Sequence, residues 1–106
     1  DGDIADLNGL RYLSQKYACI LYLDEAHSFG LYGKNGYGFA SDGNKNTNEI
    51  IVGTFSKAIG SYGSFVSCSR DFNKKIVNSC GGLIYSTALP PSILGAISAS
   101  LKKITK

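Results

Sequence analysis

Three residues carry most of the chemistry available to this chain: Asp24 and His27 in "LDEAHSFG", and Lys57 in "GTFSKAIGSYGSFV". Asp24 ends the apolar run "ACILYL", and His27 follows three residues later. A carboxylate at such a strand end can hold a protonated ring nitrogen, and an imidazole beside it can donate to a neighbouring oxygen. Taken alone, a structural histidine explains His27 equally well, and a cap or loop turn explains Asp24. Lys57 sits in a run of small residues and glycines, an unusual setting for a lysine kept only for solubility. A lysine acts as a nucleophile after losing its proton, which low-dielectric surroundings or nearby positive charge promote, and it can then form a Schiff base. Thr54 and Ser56 offer hydroxyls to an anionic group, while Gly60 and Gly63 permit close approach of a ligand or tight turns. A nucleotide-phosphate loop is a competing reading, but "GTFSKAIG" lacks the GxxxxGK[ST] spacing.

A carboxylate at one strand end and a lysine after the next point to pyridoxal phosphate, whose pyridine nitrogen needs an anionic partner and whose aldehyde needs a lysine. The surrounding pattern supplies elements to position them. Leu7, Leu10, Tyr12 and Leu13 recur at near-helical spacing between Ile4 and Tyr17, with Asp6 as N-cap, predicting an amphipathic helix. Ala18 to Leu23 reads as a strand buried on both faces. A glycine-rich loop follows, then "SDGNKNTNE", the most polar stretch and expected to be exposed. "IIVGTF" from Ile50 and "SFVSCS" from Ser64 read as further strands, joined by a link too short for a parallel crossover and hence antiparallel. Leu83 to Ser86 is a fourth strand candidate, and a closing helix starts at Pro91 with Ile93, Leu94, Ile97 and Leu101 on one face.

Composition narrows the class. With 106 residues, 43% of them hydrophobic, one domain is the expectation. The chain contains no methionine and opens Asp1-Gly2-Asp3, which leads to the expectation of a segment of a longer protein; removal of a leader is the alternative, without a signal pattern to support it. The net charge of +3 is mild, and Lys74, Lys75, Lys102, Lys103 and Lys106 read as solvated helix faces, not a nucleic-acid or membrane patch. Three cysteines, Cys19, Cys68 and Cys80, show no metal-ligand spacing and are expected to be buried free thiols in a reducing, cytoplasmic compartment. No apolar run is long enough to cross a bilayer.

"LDEAHSFGLYGKNGYG", "GTFSKAIGSYGSFV" and "LIYSTALPPS", in this order, resemble consecutive motifs of the α-oxoamine synthases, pyridoxal phosphate enzymes of the aspartate aminotransferase fold type. The resemblance covers nearly the whole chain. It implies an α/β fold: part of the large domain of a PLP-dependent transferase, mostly parallel with one antiparallel strand near Phe65 and helices on both faces. The N-terminal part and the C-terminal small domain would be absent from residues 1–106, so these residues alone are expected not to turn over substrate. Lys57 matches the lysine that binds the cofactor and moves protons at the substrate α-carbon. Asp24 matches the partner of the pyridinium nitrogen, and His27 the contact to the ring hydroxyl oxygen. Thr54 matches a hydroxyl near the cofactor. Ser86 and Thr87 match residues reaching the phosphate of a cofactor held mainly by the other subunit, which implies a homodimer.

The implied reaction is a decarboxylative condensation of an amino acid with an acyl-CoA or acyl-carrier-protein thioester. The motifs look most like the branch that joins L-alanine to a pimeloyl thioester in biotin synthesis. Branches making 2-amino-3-ketobutyrate, 5-aminolevulinate or sphingoid bases stay open, as does a noncatalytic remnant. One departure is visible: Tyr37 stands in "NGYG" where the family usually has arginine. Glu25 has no evident role and reads as a supporting or surface carboxylate. Ser28 and the loop glycines read as shaping backbone, and Tyr62 and Tyr85 as facing the site or packing in a core or interface.

Overall fold

The computed structural model describes residues 2–43 and 46–104. Asp1 at the chain start, Asn44 and Lys45 in the polar stretch, Thr105, and Lys106 of the basic series lie outside the described residues.

The first helix, α1 (Leu7–Lys16), starts where Asp6 caps it, the Asp6 carboxylate accepting the Gly9 N–H at 3.0 Å. Past its end, Ala18 takes a left-handed φ of 49°, and β1 (Leu21–Asp24) begins three residues later than its apolar run. β2 (Glu49–Thr54) pairs parallel with β1, Leu21 opposite Glu49 and Asp24 opposite Val52. β3 (Ser64–Ser67) returns antiparallel along β2, Thr54 opposite Ser64, as the short link requires. The described sheet therefore has the order β1-β2-β3.

Three helices complete the chain. Ser69 caps α2 (Arg70–Ser79), accepting the Phe72 N–H, and Asp71 in its first turn suits the positive end of the helix dipole. The expected strand from Leu83 to Ser86 is instead a short helix, α3 (Gly81–Ile84). Ile84 and Tyr85 donate four residues back to Cys80 and Gly81, so these backbone groups are committed within the turn and not to a ladder. α4 (Pro91–Ile104) starts on its proline and ends with Lys102 and Lys103 at the carbonyl end.

Burial departs from the sequence pattern in an informative way. The core comprises Phe29, Ala40, Ile50, Ile51, Ile59 and Ile97. Phe29, Phe55 and Phe65 meet edge-on or tilted, the Phe29 and Phe65 rings 4.7 Å apart, above the position where Gly53 leaves room for the Phe65 ring. On α1, by contrast, Leu13 and Tyr12 are exposed while Arg11 and Ser14 are buried. The reason is polar pairing: the Arg11 guanidinium holds Glu49, and the Ser14 hydroxyl donates to the Cys19 carbonyl at 2.7 Å while accepting from Asn48. Glu49, at the end of the stretch expected to be exposed, is thus buried. β1 alternates instead of being buried on both faces, with Tyr22 62% exposed, because β1 is an outer strand of the described sheet. Cys19 and Cys80 are exposed and Cys68 half-buried, correcting the buried-thiol expectation: Cys19 lies in the link between α1 and β1, Cys68 just past β3 and Cys80 at the end of α2, all outside the core. Helices lie on both faces of the sheet, α1 through Arg11 on the Glu49 side, and α2 with Phe72 sharing a cavity wall with Ile50 on the other. Among the described residues no helix is long and apolar enough to cross a membrane.

Candidate active site

Asp24 closes β1 and Thr54 closes β2, so both stand at the carboxyl ends of neighbouring parallel strands. Asp24 pairs with Val52, and the period of two sets Thr54 on that same face. Ligands of open α/β sheets bind beyond such ends. The Asp24 side chain is fixed by its own turn, Oδ1 accepting the Ala26 N–H at 2.9 Å. His27 is exposed, with no hydrogen bond to it among the described residues. Both line a cavity of about 260 Å³ whose walls include Leu7 and Leu10 of α1, Leu23 and Phe39.

Lys57 is outside that cavity wall, exposed on the turn between β2 and β3, so this chain alone does not give it the low-polarity surroundings expected from sequence. The turn is tightly closed below it. Phe55 N–H donates to Gly63 at 2.9 Å, Ser61 N–H to Phe55 at 2.8 Å and Gly60 N–H to Lys57 at 2.9 Å. The Thr54 hydroxyl donates to the Gly63 carbonyl at 3.0 Å and accepts the Ser56 N–H at 3.2 Å. With that proton committed, the Ser56 hydroxyl 2.7 Å away must be the donor to Thr54, which leaves the Ser56 oxygen able to accept. Ser61 Oγ is buried without a hydrogen-bond partner among the described residues.

The two loops touch. A Cβ on Gly30, three residues after His27, would lie 2.8 Å from the Ala58 Cβ and 3.0 Å from Ile59 Cδ1, so glycine lets the His27 loop rest on the turn that carries Lys57. Ser86 and Thr87 are exposed after α3, where the Ser86 hydroxyl donates to the Gly82 carbonyl, and neither lines the Asp24–His27 cavity; two residues on, Leu89 packs against Gly63 of the Lys57 turn. Tyr62 and Tyr85 are 65% and 88% exposed, so core packing within this chain is excluded for both. Tyr37, standing at the arginine position of the resembling family, lies 6.3 Å from the Phe29 ring and shares a cavity wall with Leu94, Ile97 and Leu101 of α4.

Sequence reasoning left one polar anchor open and missed another. Of the two readings of Glu25, the supporting carboxylate holds and the surface one does not: it is buried and accepts the Phe39 and Ala40 amides. Arg11 reaches across to the glycine loop, donating to the carbonyls of Asp42 at 2.6 Å and Ala40 at 3.1 Å. A signal for Arg11 existed: Leu7, Arg11 and Ser14 form one stripe of α1 at spacings of four and three. Nothing local marked the partners of Glu25.

The donor set suits a pyridoxal phosphate molecule: a carboxylate with a fixed direction, an imidazole, an amine, and hydroxyls at Ser56 and Ser61 with acceptor or donor capacity left over. Comparison with known proteins agrees. The family model described as aminotransferase class I and II matches residues 1–106. An 8-amino-7-oxononanoate synthase from Gluconacetobacter diazotrophicus is 46% identical over 101 residues, covering 95% of this chain and 25% of the relative. A serine palmitoyltransferase from S. paucimobilis, solved with PLP and myriocin bound, superposes with a TM-score of 0.85 at 32% identity, covering 98% of this chain and 27% of that one. The 8-amino-7-oxononanoate synthase of Francisella tularensis gives a TM-score of 0.74 at 34% identity over 91% of this chain and 29% of its own. The chain spans about a quarter of the length of the curated relatives it matches. It belongs to the aminotransferase class I and II family, and its relatives there are α-oxoamine synthases.

Proposed function

We propose that this chain is the cofactor-binding part of the large domain of a pyridoxal phosphate-dependent C-acyltransferase, which condenses an amino acid with an acyl-CoA or acyl-carrier-protein thioester and releases carbon dioxide. The finer reading is L-alanine with a pimeloyl thioester, giving 8-amino-7-oxononanoate, and its support is the 46% identity to the G. diazotrophicus enzyme. The higher TM-score to serine palmitoyltransferase keeps a longer acyl donor as the second reading. The observation that carries the proposal is the join at Gly30, where the loop bearing His27 rests on the turn bearing Lys57, just beyond the strand ends marked by Asp24 and Thr54.

Bound pyridoxal phosphate would supply an electron sink for the carbanion at the amino-acid α-carbon. The chain's own residues would do the rest. Asp24, its carboxylate aimed by the Ala26 N–H, holds positive charge on the ring nitrogen. His27 donates to the ring oxygen. Lys57 anchors the cofactor and then carries the proton to and from the α-carbon, and its exposure leaves the amine able to reach both. The Thr54 hydroxyl, committed to Gly63 and Ser56, would hold the base of the Lys57 turn, and the exposed Ser56 hydroxyl would turn its proton from Thr54 to an anionic group of the cofactor. Ser86 and Thr87 reach the phosphate held by a second subunit of a cytoplasmic homodimer. These 106 residues are not expected to turn over substrate unaided.

The test is to incubate the chain with pyridoxal phosphate, reduce with borohydride and map the modified peptide against Lys57→Ala. Labelling confined to Lys57 and lost in the variant is the expected result. Labels scattered over surface lysines, unchanged in Lys57→Ala, would overturn the proposal in favour of a noncatalytic remnant.

A further inference from the structure

Glu25 lies between Asp24 and His27, yet the reaction described above does not use it. The residue is 6% exposed, and a carboxylate at such depth is stable only when its oxygens are well bonded. Oε2 accepts the Phe39 N–H at 3.2 Å and Oε1 the Ala40 N–H at 2.5 Å, so the 3-10 turn Phe39–Ser41 is capped from a distant part of the chain. Gly38 next to it has φ 84°, and a Cβ there would fall 2.8 Å from Oε2, so carboxylate and loop are in closest packing.

The backbone of the same residue fastens two more elements. Its N–H donates to the Val52 carbonyl of β2 at 2.7 Å, and its carbonyl accepts from the Ser28 and Phe29 amides at 3.1 and 2.8 Å. The strand leading to Lys57, the turn bearing His27 and the glycine loop all meet at Glu25. Asp24 and His27 depend on that junction for their direction. Asp24 is aimed by the amide of Ala26, the residue after Glu25, and His27 has no hydrogen bond of its own among the described residues.

We propose that Glu25 is a positioning residue: its buried carboxylate clamps the glycine loop under the Asp24–His27 turn and thereby sets the direction of the Asp24 carboxylate and the His27 ring. It acts through Asp24 and His27, whose cavity wall it shares. The functional half of this inference rests on the cofactor roles proposed for Asp24 and His27; the structural half stands without them.

Amide hydrogen exchange and side-chain NMR on the 106-residue chain test it. Glu25→Gln turns one acceptor into a donor facing two N–H groups. Exchange at Phe39 and Ala40 is expected to rise about tenfold or more, with a matching rise at Ala26 and shifted Asp24 carboxyl and His27 ring signals. Exchange at Asn73 in α2 should stay within about twofold. Glu25→Asp keeps the charge one methylene further back and should restore part of the protection at all three amides. Loss at Phe39 and Ala40 with Ala26, Asp24 and His27 unmoved would overturn the proposal, because Glu25 would then staple the loop and position nothing. A uniform rise reaching Asn73, or failure of both variants to fold, would overturn it as well, since the role would be general stability. The cofactor arm is read separately. If the unsubstituted chain is labelled at Lys57, Glu25→Gln should weaken pyridoxal phosphate binding about tenfold, and unchanged binding overturns the functional half. If the unsubstituted chain is not labelled, the cofactor reading fails and the functional half with it, while the amide comparison still decides the clamp.

Discussion

Removing the cation from the buried Arg11–Glu49 pair should be the most damaging single change outside the candidate site. The pair is bidentate, Nε to Oε1 at 2.7 Å and Nη2 to Oε2 at 3.1 Å, with side chains 7% and 3% exposed. The guanidinium also donates to the Asp42 and Ala40 carbonyls, so one side chain ties α1 to β2 and to the glycine loop. Arg11→Met keeps much of the volume but takes both guanidinium bonds from the buried Glu49 carboxylate, which keeps the Asn46 N–H among its contacts. Breaking such a pair from one side costs about 3–5 kcal/mol, against a total of about 5–15 kcal/mol for a domain. Urea unfolding of Arg11→Met should therefore show a loss of about a third or more of the chain's stability, changed little by added salt because a buried pair is weakly screened. Replacing both partners, Arg11→Met with Glu49→Leu, removes the buried carboxylate together with the cation and should cost less than Arg11→Met alone, though the Asp42 and Ala40 carbonyls still lose a donor and the Asn46 N–H an acceptor. Two results would refute the reasoning: a loss below about 1 kcal/mol for Arg11→Met, as for an exposed pair, or losses that simply add in the double variant.

Two further substitutions probe the framework of the site. Gly53→Ala puts a Cβ 2.5 Å from Phe65 Cε1, inside the Phe29–Phe55–Phe65 cluster, and should destabilise by about 1–3 kcal/mol through overpacking; an unchanged Tm would mean that the Phe65 ring moves aside freely. Thr54→Val removes the hydroxyl that bonds Gly63 and Ser56 at the base of the Lys57 turn, for an expected cost of about 1 kcal/mol and faster exchange at the Gly60 amide, both reversed by Thr54→Ser.

Where local rules decide, the sequence is a faithful guide. Asp6 before an apolar-periodic run caps α1, Pro91 opens α4, and the short link through Lys57 forces β3 to return antiparallel. The end of β1 follows from where its apolar run stops, so Asp24 could be assigned to the sheet's carboxyl edge without coordinates, whereas β2 begins and ends one residue earlier than the run "IIVGTF". The failures share one cause, contacts between residues far apart in the chain. "LIYS" has the composition of a strand, yet no strand of the described sheet pairs with it and its amides close a helical turn instead. Arg11 and Glu49, 38 residues apart, look like surface charges until the fold joins them. The role of Glu25 stays open in the sequence for the same reason, its partners lying across a glycine loop whose path no local pattern specifies.

The exposure of Asp24, His27 and Lys57 follows from how the chain is packed. Its radius of gyration, 14.8 Å, exceeds the roughly 13 Å of a compact domain of this size. Tyr22 and Val66 lie bare on the outer strands, and Leu10 and Leu13 on α1. In the interior, Glu25 and Arg11 fasten the glycine loop to the sheet beside the phenylalanine cluster. Directional polar bonds made from below can hold a loop without covering the strand ends, whereas apolar packing would have to bury them. The glycine loop is therefore anchored by charge, and the strand ends bearing Asp24 and Thr54 are not covered by it.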